Sequence, residues 1–284
     1  MSENQDLMKN IQVNFHKLSK GQKMIAQYIM ENYDKAAFMT AAKLGEMVGV
    51  SESTVVRFAN VLGFNGYPHM QRELQEMLRT RLTTVQRIEM AVDYSNEENT
   101  IKKVIKADID NLRMTMESID INIFEEAVKA IIQAKHIYIV GMRSSTTLAD
   151  FLAFYLTLIR SNVQSTSRSV SDIFDMLFRV NKDDLVIGIG FPRYSSKTIE
   201  ALDYAKSQGA KVLAITDSLL SPLVSYADYT LTAKSNMESF VDSLVAPLSL
   251  LNALIIAVGI KEKRKVSSNF SKLEDIWKKY KVYS

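Results

Sequence analysis

The chain has no cysteine. Disulfides, thiolate metal sites and cysteine nucleophiles are therefore excluded, which agrees with a reducing, cytoplasmic setting. Histidine is nearly as scarce: His16, His69 and His136 are the only three in 284 residues. No metal-ligand cluster stands out, so no metal or cofactor is expected. Long apolar runs are missing too. The most apolar stretch, "SLVAPLSLLNALIIAV" (243–258), is interrupted by Pro247, Ser249 and Asn252. It falls short of the roughly 20 apolar residues that span a bilayer, and predicts a buried helix. The opening "MSENQDLMKN" lacks the apolar centre of a signal peptide, so no membrane partner is expected.

Charge of one sign does not dominate either. The net charge is +3, but it is unevenly spread. Residues 1–88 carry 11 Lys and Arg against 8 Asp and Glu; residues 89–260 carry 16 against 21; the last 24 carry 8 against 3. A mildly basic head and tail flank an acidic body, which permits nucleic-acid contact at the head without requiring it. What is present is ample apolar content, 47% of the chain, enough for one large or two ordinary domains.

The head reads as short helices. Ser19 and Gln22 have capping-box spacing, and Met24, Ile25, Tyr28 and Ile29 recur on one face behind them. Thr40 caps "AAKLGEMV", with Ala41, Leu44, Met47 and Val48 expected inside, and Gly49 suits the left-handed position that ends a helix. Ser51 then opens "ESTVVRFANVL", whose apolar face is Val55, Phe58, Ala59 and Leu62, ended by Gly63. Two short helices joined through "VGVS" make a helix-turn-helix unit, whose second helix enters the major groove. Off its core face stand Glu52, Ser53, Thr54, Arg57 and Asn60. Arg57 suits bidentate contact with guanine, Ser51, Ser53 and Thr54 suit phosphate or base contacts, and Lys43 and Lys20 suit the DNA backbone. Spacing alone leaves another reading open, a small helical bundle whose helices are joined by glycine.

The run "FMTAAKLGEMVGVSESTVVRFANVLGFNGYPHM" resembles the N-terminal domain of the RpiR family of bacterial transcriptional regulators. The resemblance rests on "A-x-L-x-E-x-x-G-V-S", "S-T-V-V-R-F" and "L-G-F-x-G-Y", and covers about 60 residues. It implies a double-stranded DNA partner read through Lys43, Ser51, Ser53, Thr54, Arg57 and Asn60. After Pro68 a helix is expected to about Val92, then a polar linker, "DYSNEENT" (93–100). A long helix follows from Thr100, with an apolar stripe at 101, 104, 105, 109, 112 and 116. That stripe fits either core packing or a dimer seam.

From residue 121 helix and strand alternate. Strands are expected at 136–141, 162–166, 184–190, 211–218 and 226–233, with helices between them and a long apolar helix from about Phe240. Uniformly apolar strands each followed by a helix indicate a parallel sheet covered on both faces, in flavodoxin-type layers. Ligands of such sheets bind outside the carboxyl ends of the strands. Two loops, "GMRSSTT" and "GIGFPRYSSKT", sit at such ends and feed helix N-termini, which favour anions. Ser144, Ser145 and Thr146 offer hydroxyls in the first, Ser195, Ser196 and Thr198 in the second. One such loop is more simply a set of N-caps; two on neighbouring strands favour a phosphate or carboxylate site.

Residues 121–257 resemble the sugar isomerase (SIS) phosphosugar-binding domain, most closely over "DLVIGIGFPRYSSKTIEALDYAKSQGAKVLAITDSLLSPLVSYADYTL". The family's first loop commonly reads G-x-G-x-S-x-x-x-A; here Gly141, Arg143, Ser145 and Ala149 hold those places, so an arginine replaces the second glycine. The second loop commonly has serines where Gly190 and Pro192 stand, glycine at Arg193 and threonine at Ser195. Arginine binds phosphate or carboxylate through a planar fork. Arg143 and Arg193 are therefore candidate ligand contacts, with structural pairing to Asp172 or Asp175 as the other reading. Glu238 is a candidate for a ligand hydroxyl.

Isomerisation needs a positioned base, and none is evident. The resulting expectation is an all-α helix-turn-helix domain (1–80), a helical linker (81–120), a SIS-like α/β domain with a five-stranded parallel sheet (121–260) and a basic helical tail (261–284). The function expected is a cytoplasmic, operator-binding, non-enzymatic regulator. It would be a homodimer or homotetramer and would sense a sugar phosphate or related small anionic metabolite. The alternative is a sugar-phosphate isomerase with a helical accessory domain.

Overall fold

The computed structural model describes residues 7–81, 97–166, 172–236 and 241–283. Two compact units divide the chain, Met1–Gln86 and Arg87–Ser284. In the first, helices α1 (Leu7–Asn14), α2 (Lys20–Glu31), α3 (Tyr33–Ala36), α4 (Ala41–Val48), α5 (Glu52–Val61) and α6 (Tyr67–Arg81) surround one core. Ile25, Ile29, Leu44, Val55, Phe58 and Ala59 are wholly buried there. Gln22 reaches back to the Ser19 amide at 3.0 Å, so the capping box forms. Met24 and Met47 depart from the periodic reading: they are 43% and 50% exposed. The helices are short, and these positions lie at the margin of a stripe that Ile25 and Leu44 already fill.

The turn between α4 and α5 is shaped by two glycines. Gly49 takes φ +77°, and Gly45 lies so close to the next turn that a Cβ would stand 2.7 Å from the Val50 carbonyl. The Val50 amide returns to the Gly45 carbonyl at 2.9 Å. Helix α6 holds the chain ahead of α4: Tyr67 donates to the Met39 carbonyl at 2.7 Å, and Gln71 and Gln75 donate to the Ala37 carbonyl at 3.0 and 2.9 Å. Burial pushes the Tyr67 phenol up to about 12.

The second unit opens with α7 (Glu97–Ser118) and α8 (Ile121–Gln133). Strands β1 (Ile137–Gly141), β2 (Val163–Ser165), β3 (Leu185–Ile189), β4 (Lys211–Thr216) and β5 (Tyr229–Thr232) pair in the order β2-β1-β3-β4-β5. Every pairing is parallel. Alternate strand residues serve the two faces. Ile137, Ile139, Leu185, Ile187, Leu213, Ile215 and Leu231 join a core with α8, α9 (Ser145–Ile159) and α12 (Val245–Lys261). Tyr138, Val140, Val186, Val212 and Ala214 join another with α10 (Ile173–Leu177) and α11 (Ser196–Ser207). Two covered faces explain why the central strands β1, β3 and β4 are apolar on both sides, while the edge strands β2 and β5 are not.

Three details differ from the sequence reading. Between β2 and β3 the expected helix, α10, is only five residues long, and α12 starts at Val245 rather than about Phe240. The apolar stripe of α7 does not face inward: Ile101, Ile105, Ile109 and Met116 are 67%, 52%, 49% and 71% exposed. The face turned to the domain is polar instead. No single helix among the described residues is long and apolar enough to cross a membrane. Helix α13 (Lys263–Tyr280) completes the described chain. The expected continuation of α6 and residues 93–96 of the 93–100 linker lie outside the described residues, whereas 97–100 already belong to α7 rather than to a linker.

Candidate functional site

In the first unit, α5 presents its N-terminus through Ser51, Ser53 and Thr54. The Ser51 hydroxyl lies 2.9 Å from both the Ser53 and Thr54 hydroxyls rather than capping the helix. One turn on, the Arg57 Nε donates to the Ser53 carbonyl at 3.2 Å, which steers the guanidinium along the exposed face. This row of donors at a helix start suits phosphate oxygens and base edges. Lys43 is exposed and pairs with Glu46 at 2.9 Å, a surface contact that a phosphate can displace at little cost. Asn60 is partly committed, since its Oδ1 accepts from the Gly66 amide at 3.0 Å.

In the second unit the two candidate loops leave adjacent, parallel strands, β1 and β3, at the same end of the sheet. The first is a tight turn, with the Ser145 amide bonded to the Met142 carbonyl at 3.2 Å and Thr146 to Arg143 at 3.1 Å. Thr146 and Thr166 hydroxyls both donate to the Gly141 carbonyl, at 3.0 and 3.1 Å. Thr166, past the end of β2, was not singled out from sequence. In the second loop Phe191 and Pro192 are buried while Arg193 is exposed. Tyr194 reaches the buried Asp217 carboxylate at the end of β4, at 2.7 Å. That acid also escaped the sequence reading, although an aspartate directly after an apolar strand is a usable signal.

Neither Ser144 nor Ser195 caps its helix with its side chain, whereas Thr40, Asp120 and Asp172 do. Simple N-capping therefore does not account for the hydroxyls at α9 and α11. Thr198, 1% exposed in the first turn of α11, keeps its Oγ1 without a hydrogen-bond partner. Ser145 is buried, and Ser144 and Ser196 are exposed. Both arginines have left-handed backbone, Arg143 at φ 57° and Arg193 at φ 69°. Each stands where the SIS pattern commonly has glycine, and for any other residue that conformation costs about 1–2 kcal/mol. Glu238 lies outside the described residues. His136 directly precedes β1, at the opposite end of the sheet, its Nδ1 2.9 Å from Asp184.

Comparison with known proteins shows the family and the fold. Residues 5–81 match the helix-turn-helix domain of the rpiR family, and residues 130–257 match the SIS domain. The chain has the architecture of an RpiR-family transcriptional regulator. An HTH-type transcriptional regulator of Haemophilus influenzae is 28% identical over 233 residues, 81% of either chain. The HTH-type transcriptional regulator HexR of Pseudomonas aeruginosa is 25% identical over 270 residues, 92% of this chain and 91% of that one. Among solved structures, the sugar isomerase domain of an RpiR transcription factor from Sphaerobacter thermophilus superposes with a TM-score of 0.60 at 28% identity. It covers 62% of this chain and 99% of that one. Vibrio vulnificus NanR, complexed with ManNAc-6P, shares the fold over 95% of this chain and 98% of its own, with a TM-score of 0.57 at 22% identity.

Proposed function

We propose that this RpiR-family regulator binds its operator through α5 and changes its affinity when the SIS domain takes up a small anionic metabolite, a phosphorylated sugar or a related acid. The observation that carries this is the pair of arginines in left-handed backbone at the carboxyl ends of β1 and β3. Strained residues are retained where the surrounding structure serves a ligand. Here each arginine sits beside a helix start that its own serine leaves uncapped. Ser144, Ser145, Ser195, Ser196 and Thr198 supply hydroxyl donors around the guanidinium groups, and Glu238 is kept as a contact for a ligand hydroxyl. NanR, of the same fold, is complexed with a sugar phosphate, which supports this ligand class here.

On DNA, Arg57, Ser51, Ser53, Thr54 and Asn60 meet bases and phosphates, with Lys43 on the backbone. Helix-turn-helix proteins read two half-sites through a two-fold axis. A homodimer, or a tetramer built from it, supplies that axis. The exposed apolar stripe of α7 and the exposed Ile256 and Ile260 of α12 give the second unit apolar surface to pair with. Effector action then follows from linkage: a ligand that binds the DNA-competent and DNA-incompetent arrangements unequally shifts their populations.

The test is fluorescence anisotropy of the full chain on a duplex from its own upstream region. The ligand panel contains N-acetylmannosamine 6-phosphate, glucose 6-phosphate and 6-phosphogluconate, with inorganic phosphate as control. Salt-sensitive binding shifted by one panel member is the expected result. Absence of sequence-preferring binding, together with turnover of a panel member, would establish the isomerase instead.

A further inference from the structure

Helix α7 is the first described element of the second unit, and it is docked through polar side chains. Asn111 is wholly buried, and its amide pairs with the Asn236 backbone in both directions: Nδ2 donates to the carbonyl and Oδ1 accepts from the amide, each at 3.1 Å. Thr115, 7% exposed, accepts from the Lys234 amide at 2.8 Å. Asp108 accepts from the Ser243 hydroxyl at 2.6 Å. Positions 108, 111 and 115 lie on one helical face, and their partners are all more than a hundred residues away in sequence. The exposed apolar stripe runs along the adjoining side of the helix.

Buried polar pairs set register in a way that apolar contact does not. A shift of α7 by one turn, about 5.4 Å, would strand the Asn111 amide and the backbone at 234 and 236 together. The helix and the segment 233–236 therefore have to move as one piece. That segment leaves β5 at the same end of the parallel sheet as the loops after β1 and β3, and is tied to β4 by the Ala233 amide on the Thr216 carbonyl at 2.8 Å. Within it Ser235, 2% exposed, has a hydroxyl without a hydrogen-bond partner. Helix α7 is thus bonded to a segment that leaves the sheet at the same end as the two candidate ligand loops.

We infer that Asn111, Thr115 and Asp108 are positioning residues that latch α7 to the segment leaving β5, and that operator affinity is set through this latch. The inference rests on the sensor reading for its purpose, but not for its test. Thr115→Val keeps the shape and loses the acceptor; Thr115→Ser restores it; Asn111→Leu removes both amide bonds. With no ligand present, Thr115→Val and Asn111→Leu should change the Kd of the full chain for its upstream duplex at least fivefold. Thr115→Ser should stay within twofold of wild type. The peptide covering 229–236 should exchange its amide hydrogens faster in Thr115→Val.

A Thr115→Val protein that melts as one folded species, yet binds the duplex like wild type, overturns the latch. So does a Thr115→Ser protein as impaired as Thr115→Val, since rescue by a hydroxyl is what separates a latch from mere packing. Should Asn111→Leu not fold, the threonine pair decides alone. Failure of the sensor reading shows differently, as a wild-type duplex affinity unmoved by every member of the ligand panel.

Discussion

Tyr194 donates its hydroxyl to the buried carboxylate of Asp217 at 2.7 Å, tying the loop after β3 to the end of β4. The same Oδ1 also accepts from the Thr216 hydroxyl at 3.2 Å. Because Tyr194 stands between Arg193 and Ser195, this bond fixes the middle of the candidate ligand loop. Tyr194→Phe should cost about 1–3 kcal/mol of stability, the usual penalty when a buried acceptor loses a donor. It should also weaken the response to the active panel member. Urea melts and anisotropy titrations check the two effects, and a variant that loses stability while keeping full effector response would show that the bond serves packing alone.

Arg143 and Arg193 give a prediction with an unusual pair of signs. Glycine at either place relieves a left-handed strain of about 1–2 kcal/mol, offset by about 0.5–1 kcal/mol of extra freedom in the unfolded chain. Arg143→Gly should therefore melt at or slightly above the wild-type temperature, and both Arg143→Gly and Arg193→Gly should lose tenfold or more in effector affinity. The matching alanine variants keep the strain, lose the guanidinium, and should melt no higher than wild type. A glycine variant that responds to the panel normally would mean that the arginines are surface residues in an inherited turn.

On the DNA side, Arg57→Ala should weaken operator binding by about 1–3 kcal/mol and relax the preference at one base pair. Lys43→Ala should weaken all sequences alike and lower the salt slope by about one ion. Losing the exposed Lys43–Glu46 pair should barely affect folding, since such pairs contribute about 0.3–0.5 kcal/mol. Anisotropy across several salt concentrations, on operator and scrambled duplexes, separates the two residues.

The layered fold was legible because its central strands β1, β3 and β4 are apolar on both faces, and because Thr40, Gly49 and Gly63 punctuate the helices in the expected way. The candidate site was chosen from the sequence because Arg143 and Arg193 break a familiar pattern, and both stand just past the ends of neighbouring strands. Periodicity could not show how α7 docks. It counts apolar positions and assumes that they face inward, whereas Asn111 and Thr115 are buried through bonds to backbone more than a hundred residues away. Gly45 was passed over for a related reason. Nothing local requires glycine inside α4; the requirement comes from the Val50 carbonyl on the following turn.

Tyr67 offers a test of the first unit by pH. Its phenol is buried, donates to the Met39 carbonyl at 2.7 Å and lies 3.4 Å from the Ala36 carbonyl. Burial disfavours the phenolate and lifts the group from 10 to about 12. A folded-state value above the unfolded one means the contribution is complete below pH 10 and is lost as pH climbs through 12. Tyr67→Phe keeps the ring and removes the hydroxyl. At neutral pH it should cost about 1 kcal/mol, because the Met39 carbonyl still receives Gln71 at 2.9 Å. The gap between the two proteins should then narrow steadily from pH 10 towards 12, where wild type alone has a buried proton to give up. Urea melts of the intact chain across that range measure the gap directly, since every other titrating group is common to both. A gap that stays constant would place the Tyr67 hydroxyl in contact with water, and the grip of α6 on the chain ahead of α4 would then rest on Gln71 and Gln75.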